Sequence, residues 1–184
     1  MSVTIDARTA LIVVDLQAGT VRNPSVHPID GVVANAVELI AAFRRHDLPV
    51  VIATVDGTPA GRSDIGGGAS AWPVEMTALI PEIVPEARDI QVTRRAWSAF
   101  ATTALQERLA AAGATQVVIV GLATSFGVES TARDAYDAGY NVVVAVDAIS
   151  DMRAEAHENS VTRIFPILGQ TGTTVEIAAA LDAR

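Results

Sequence analysis

Short runs of β-branched and aliphatic residues alternate along the chain with segments whose apolar positions recur at helical spacing. Ala10 to Asp15 predicts a strand, and Val32 to Phe43 predicts a helix with Val33, Ala36, Val37, Ile40 and Phe43 on one face. Pro49 to Val55 predicts a second strand, followed by a loop from Asp56 to about Pro73 and a weaker strand at Ile90 to Thr93. A helix is expected from about Phe100 to Ala112, ending near Gly113, where glycine commonly closes a helix. Gln116 to Val120 is an almost wholly apolar strand, and Val128 to Ala138 is helical, with Thr131, Ala132, Ala135 and Tyr136 on the Val128 face. Asn141 to Val146 makes a fifth strand. A long helix near Ala154 to Leu168, bent at Pro166, carries Val161, Ile164, Phe165 and Leu168 on one face, and Thr173 to Leu181 closes the chain. Unbroken apolar strands between helices imply a parallel sheet covered on both faces, because right-handed crossovers lay helices on each side. The expected fold is a three-layer α/β/α sandwich.

A chain of 184 residues, 50% hydrophobic and 18% charged, is long enough to bury a continuous core, so a single domain over residues 1–184 is expected. Its 13 basic and 21 acidic residues give a net charge of −8, which disfavours nucleic acid and anionic membranes as partners and leaves a small-molecule substrate. All the basic residues are arginines, and there is neither lysine nor cysteine. That excludes a thiolate nucleophile, a disulfide, Cys-ligated zinc, a Schiff base and a lysine general base. Met1 to Arg8 lacks the basic stretch and apolar core of a secretion signal, and no apolar run is long enough to span a bilayer, so a cytoplasmic location is expected.

In parallel α/β sheets, ligands bind beyond the carboxyl ends of the strands, where strand order reverses. Asp15, Arg94 with Arg95, Thr124 to Gly127, and Asp147 occupy those positions. Asp15 reads as a functional carboxylate or as a cap. The small and hydroxyl residues of Gly121 to Ala135 leave backbone N–H groups free at a helix start, which suits an anion or oxyanion cradle; capping by Thr124 or Ser125 would satisfy the same groups. Ala123-Thr-Ser-Phe-Gly127 also approximates a nucleophile elbow, with Ser125, Asp147 and His157 in the chain order of an α/β-hydrolase triad. The loop over residues 56–73, rich in glycine and carrying Arg62, Asp64 and Trp72, reads as a substrate-closing lid or as a flexible linker.

Four segments together resemble the isochorismatase-like hydrolases, also called cysteine hydrolases, over nearly the whole chain. They are Thr9-Ala-Leu-Ile-Val-Val-Asp-Leu-Gln17, Val92-Thr-Arg-Arg-Ala-Trp-Ser-Ala-Phe100, Gly121 to Ala135, and Val146-Asp-Ala-Ile-Ser150 followed by Ala156-His-Glu-Asn. The resemblance implies a six-stranded, Rossmann-like parallel sheet, a homo-oligomeric enzyme, and a catalytic Asp, Lys and Cys. Of these, Asp falls on Asp15, Lys on Arg94 and Cys on Gly127, so two of the three are replaced.

An acyl-thioester route is therefore closed, and the resemblance points instead to the members that hydrolyse a vinyl ether by protonation, with Asp15 as the acid. No metal or other cofactor is expected: the Asp-x-His run of zinc-binding members reads Asp56-Gly57-Thr58 here, and His27, His46 and His157 are scattered. Arg94 either grips a substrate carboxylate through two parallel donors or holds Asp15 ionised and weakens it as an acid. Gln17, Trp97, Phe100, Thr124, Ser125 and Phe126 are the expected substrate contacts, with Trp97 and Phe100 equally at home in a core. A relative that kept the pocket as a ligand-binding module after losing Lys and Cys is the alternative from outside enzymology.

Overall fold

The computed structural model describes residues 3–64 and 66–184. Strand β1 (Thr9–Val14), buried at every position, leads through helix α1 (Ile29–Arg45) to β2 (Val50–Val55). Four two-residue strands follow, β3 (Gly57–Thr58), β4 (Arg62–Ser63), β5 (Gly66–Gly67) and β6 (Ser70–Ala71), then one turn of helix, α2 (Val74–Thr77), and β7 (Ile90–Arg94). The second half runs α3 (Leu105–Ala111), β8 (Gln116–Leu122), α4 (Glu129–Asp137) and β9 (Asn141–Ser150). It ends with α5 (Ala154–Asn159), α6 (Phe165–Leu168), β10 (Gln170–Gly172) and α7 (Thr174–Asp182).

Six parallel strands form one sheet in the order β10-β9-β8-β1-β2-β7. Helices α1 and α7 cover one face through Ala36, Ile40, Phe43, Ile177 and Leu181, while α3, α4 and α6 cover the other through Leu105, Leu109, Ala132, Ala135 and Phe165. The three-layer sandwich is as expected, and the central strands β1 and β8 are buried at every position because both faces are covered. From β1 the chain builds outward to β2 and β7 on one side, then returns to build β8, β9 and β10 on the other. Strand order thus reverses between β1 and β8, and a crevice opens at their carboxyl ends.

Several local expectations are corrected. Helix α3 starts at Leu105 rather than near Phe100; the preceding residues form bends and turns, with Thr102 at φ 61°. Val37 and Tyr136 lie on exposed flanks of their helices, since the buried arc of α1 is drawn toward Leu39 and that of α4 toward Ala135. The loop over residues 56–73 is an arm of nested hairpins, β3 paired with β6 and β4 with β5. Glycine is needed at its base: a Cβ on Gly57 would stand 2.0 Å from the Ser70 carbonyl oxygen. The helix expected over Ala154 to Leu168 contains a π-helical turn at Ser160–Ile164, and Pro166 follows in the first turn of α6, where its missing N–H costs little. Strand β10 was invisible to the apolar pattern because it is short and polar and lies at the sheet edge. Among the described residues no helix is long and apolar enough to cross a membrane.

Candidate active site

Asp15 is the first residue beyond β1 and takes a left-handed backbone conformation, φ 51°, that aspartate tolerates better than most side chains. The Thr20 hydroxyl bonds to the Asp15 and Gln17 carbonyl oxygens and so holds this bend from outside. Arg94, the last residue of β7, reaches past the end of β2 to clamp the carboxylate: Nη1 donates to Oδ1, and Nη2 donates to Oδ2 at 2.9 Å. The remaining contacts of the guanidinium are with protein as well, Nη2 to the Trp97 carbonyl at 2.8 Å and Nε to that of Ser98 at 3.4 Å. Both side chains are buried, Asp15 at 7% residual exposure and Arg94 at 3%. Burial pushes the Asp15 carboxyl above its ordinary value, and the hydrogen bond and charge of Arg94 pull it part of the way back. Since its fork is directed at Asp15, Arg94 has no matched pair of donors left for a substrate anion. The cation that faces the pocket is Arg95, whose Nε contacts Asp56 Oδ1 at 3.2 Å.

The end of β8 approaches from the other side. Gly121 passes so close to β1, at φ 111°, that a Cβ would lie 2.0 Å from the Val14 carbonyl oxygen. Beyond it the chain makes a π-helical turn, Thr124–Val128, which carries Gly127 against Asp15. A Cβ on Gly127 would stand 3.2 Å from Asp15 Oδ2 and 2.9 Å from Val14 Cγ1, so no side chain intervenes between this backbone and the carboxylate.

The anion cradle expected at this turn holds an anion of the protein's own: Asp151 Oδ2 accepts from the Ser125 amide at 2.7 Å and from the Ser125 hydroxyl at 2.8 Å. The elbow reading fails on the same geometry. Asp147 Oδ1 accepts from the Thr174 amide and hydroxyl at 2.8 and 2.9 Å, capping α7, and His157 Nδ1 bonds to Thr124 Oγ1 at 2.9 Å. Ser125, Asp147 and His157 therefore do not form a triad. Burial and the neighbouring His27 lower the His157 pKa, against smaller opposing effects of Asp151 and Glu158. A fluorophosphonate is accordingly expected to leave Ser125 unlabelled, as intact-mass measurement would show; stoichiometric labelling at Ser125 would restore the elbow.

A cavity of about 200 Å³ opens over Asp15 and Gly127, walled by Trp72 from the hairpin arm and by Trp97 and Phe126, whose rings meet edge to face at 4.9 Å. The other expected contacts lie elsewhere. Gln17 is fully buried and ties the chain after β1 to its neighbours, Nε2 donating to the carbonyls of Val55 and Thr77 while Oε1 accepts from the Val55 amide. Phe100 is half-buried and packs against the core, with its ring 6.1 Å from that of Tyr140. Thr124 and Ser125 face His157 and Asp151 rather than the cavity.

Conversely, Ser25, Ser150 and Asp151 line the cavity without having been singled out. The reason is strand β9, which runs on to Ser150: its pairing with β8 jumps from Ile119 with Val144 to Gly121 with Ile149, a bulge that turns Asp147 toward α7 before the strand resumes. The end of the strand that faces the cavity is therefore Ser150 and Asp151 instead of Asp147. His27 and His157, distant in sequence, have ring centroids 4.6 Å apart. Among the described residues no three histidine or acidic side chains converge as a metal site.

A doubly wound α/β sheet with a buried carboxylate–guanidinium pair under a small cavity, at the point where strand order reverses, defines a small-molecule site of the kind enzymes of this architecture carry. The Isochorismatase domain model matches residues 9–176. The chain is 37% identical over 179 residues to the uncharacterized isochorismatase family protein YwoC of Bacillus subtilis, spanning 92% of each chain. It is 36% identical over 185 residues to the uncharacterized family protein YecD of Escherichia coli O157:H7, spanning 94% of this chain and 96% of that one. The structure of an isochorismatase family protein from Burkholderia thailandensis superposes with a TM-score of 0.94 at 36% identity, covering 99% of this chain and 100% of the other. The protein belongs to the isochorismatase family, whose members are hydrolases.

Proposed function

We propose that the chain hydrolyses a small polar or carboxylated vinyl ether without a covalent intermediate, using Asp15 first as acid and then as base. The observation that carries this reading is the buried Asp15 carboxyl standing directly against Gly127, where the family resemblance would put a nucleophilic cysteine. Protonated Asp15 gives its proton to the terminal enol carbon, and the ether oxygen shares the resulting positive charge as an oxocarbenium ion. Water adds to the carbon that bears the ether oxygen and returns a proton to Asp15, and the hemiketal separates into a ketone and an alcohol. Burial favours the protonated form that the first step needs, and Arg94 keeps the carboxyl oriented while moderating its rise. Arg95 supplies a positive charge at the cavity for a substrate carboxylate.

The enol ether of pyruvate with para-nitrophenol tests the reading beside para-nitroacetanilide, an amide with a comparably coloured product. Pyruvate and para-nitrophenol should appear together from the first, with no turnover of the second. Turnover of the anilide alone, or of neither compound, would overturn the proposal.

A further inference from the structure

Ser25, Ser150 and His27 form a hydrogen-bonded chain on the wall of the cavity, and the chemistry above uses none of them. Ser25 and Ser150 line the cavity, whereas His27 is exposed to solvent. Ser25 Oγ lies 2.8 Å from both Ser150 Oγ and the His27 carbonyl oxygen. Ser150 Oγ lies 3.1 Å from the His27 amide and 3.2 Å from His27 Nδ1.

A hydroxyl has one proton and two lone pairs. The His27 amide fills one lone pair of Ser150, leaving one lone pair and one proton for the other two neighbours. Two arrangements then satisfy both hydroxyls and the ring nitrogen, the first of them leaving the His27 carbonyl to solvent. In the first, Ser25 donates to Ser150 and Ser150 donates to Nδ1. In the second, Nδ1–H donates to Ser150, Ser150 donates to Ser25, and Ser25 donates to the His27 carbonyl. Protonation of His27 converts the first into the second.

Hydrolysis must also protonate the departing oxygen, and the other titratable groups at the cavity are committed. Asp15 handles the proton of the water, and Asp151 accepts from Ser125 and from the Arg153 amide. The Arg95 guanidinium retains its protons in water. We infer that Ser25, Ser150 and His27 are a proton relay that delivers a proton from solvent to the leaving oxygen of the substrate; this rests on the cavity being the hydrolytic site proposed above.

Starting from the protonated arrangement, Nδ1 passes its proton to Ser150, Ser150 passes its own to Ser25, and Ser25 turns from the His27 carbonyl to give its own to the leaving oxygen. The alcohol departs neutral, the proton of the hemiketal hydroxyl leaves to solvent water as the ketone forms, and the relay is left in the first arrangement until His27 takes a proton from solvent. The ring beside His27 is that of His157, with Asp151 and Glu158 the charged groups near that second ring.

Pyruvate release from the methyl enol ether of pyruvate, whose alcohol is a poor leaving group, tests the relay with Ser25→Ala, His27→Gln and the double variant. Each single change should lower kcat by about 10- to 100-fold and remove the same limb of the pH profile, and the double variant should be no slower than either. Effects that multiply, or no effect, would overturn the relay. Imidazole nitrogen NMR supplies a readout independent of turnover, since the chain has 3 histidines. Neutral His27 should carry its proton on Nε2, with an Nδ1 signal that shifts in Ser150→Ala; a neutral ring protonated on Nδ1 would also overturn the relay. Turnover that survives Asp15→Asn would instead sink the hydrolytic reading.

Discussion

Asp15→Asn is expected to lower kcat/KM on the enol ether by roughly 10²–10⁴-fold, the contribution of a positioned proton-transfer group, while the protein remains folded. The amide is nearly isosteric but can neither give nor take the proton. The structure adds a consequence: Arg94 is buried at 3% exposure, and an asparagine offers it one acceptor oxygen where the carboxylate offers two. The variant should therefore also melt at a lower temperature. Circular dichroism checks the fold and steady-state kinetics the loss, and an Asp15→Asn protein with full activity would remove Asp15 from the chemistry.

Arg94→Ala should have the largest effect on stability, because it leaves a buried carboxyl facing nothing. Removing one partner of a buried ion pair costs about 3–5 kcal/mol. The loss should depend on pH, and its sign follows from Asp15. In the unfolded chain this carboxyl titrates near the ordinary aspartate value of 3.8, whereas burial raises it in the folded protein. Between the two values the folded state holds a proton that the unfolded state has released, so the contribution of this group to stability falls as pH rises.

Without the opposing pull of Arg94 the folded value climbs further, and the window widens upward. Urea titrations should show a smaller deficit in mildly acidic buffer than at neutral pH. The high-pH limb of the activity profile of any folded Arg94→Ala protein should likewise move upward, since Asp15 acts in its protonated form. Arg94→Lys should recover part of the stability, since an ammonium restores the charge without the two-pronged contact. Equal deficits at both pH values would mean that Asp15 is not the group that Arg94 restrains.

Periodicity alone carried the layer architecture and four largely apolar strands, because a strand covered on both faces must be apolar throughout and a helix covered on one must repeat at its own period. Ile90–Arg94, at the sheet edge, alternates buried and exposed positions and reads more weakly. Asp15 was legible for a related reason: a charged residue at the end of an apolar strand marks the sheet's carboxyl edge, where ligands bind. The edge strand Gln170–Gly172 has no such signature, and neither has the bulge in Asn141–Ser150 that moved the working end of the strand from Asp147 to Ser150 and Asp151. Bulge and register are settled by pairing with a neighbouring strand, and nothing in a strand's own pattern records where its partner slips.

The roles of the arginines were likewise decided in three dimensions. Two adjacent residues with the same side chain diverge because β7 aims one into the buried space beside Asp15 and leaves the next at the cavity. Sequence determined which groups stood at the carboxyl ends of β1, β7 and β8. Tertiary structure determined which of them meet, since Asp15 with Arg94, Ser125 with Asp151, and His27 with Ser150 are each joined by two contacts between segments well separated along the chain.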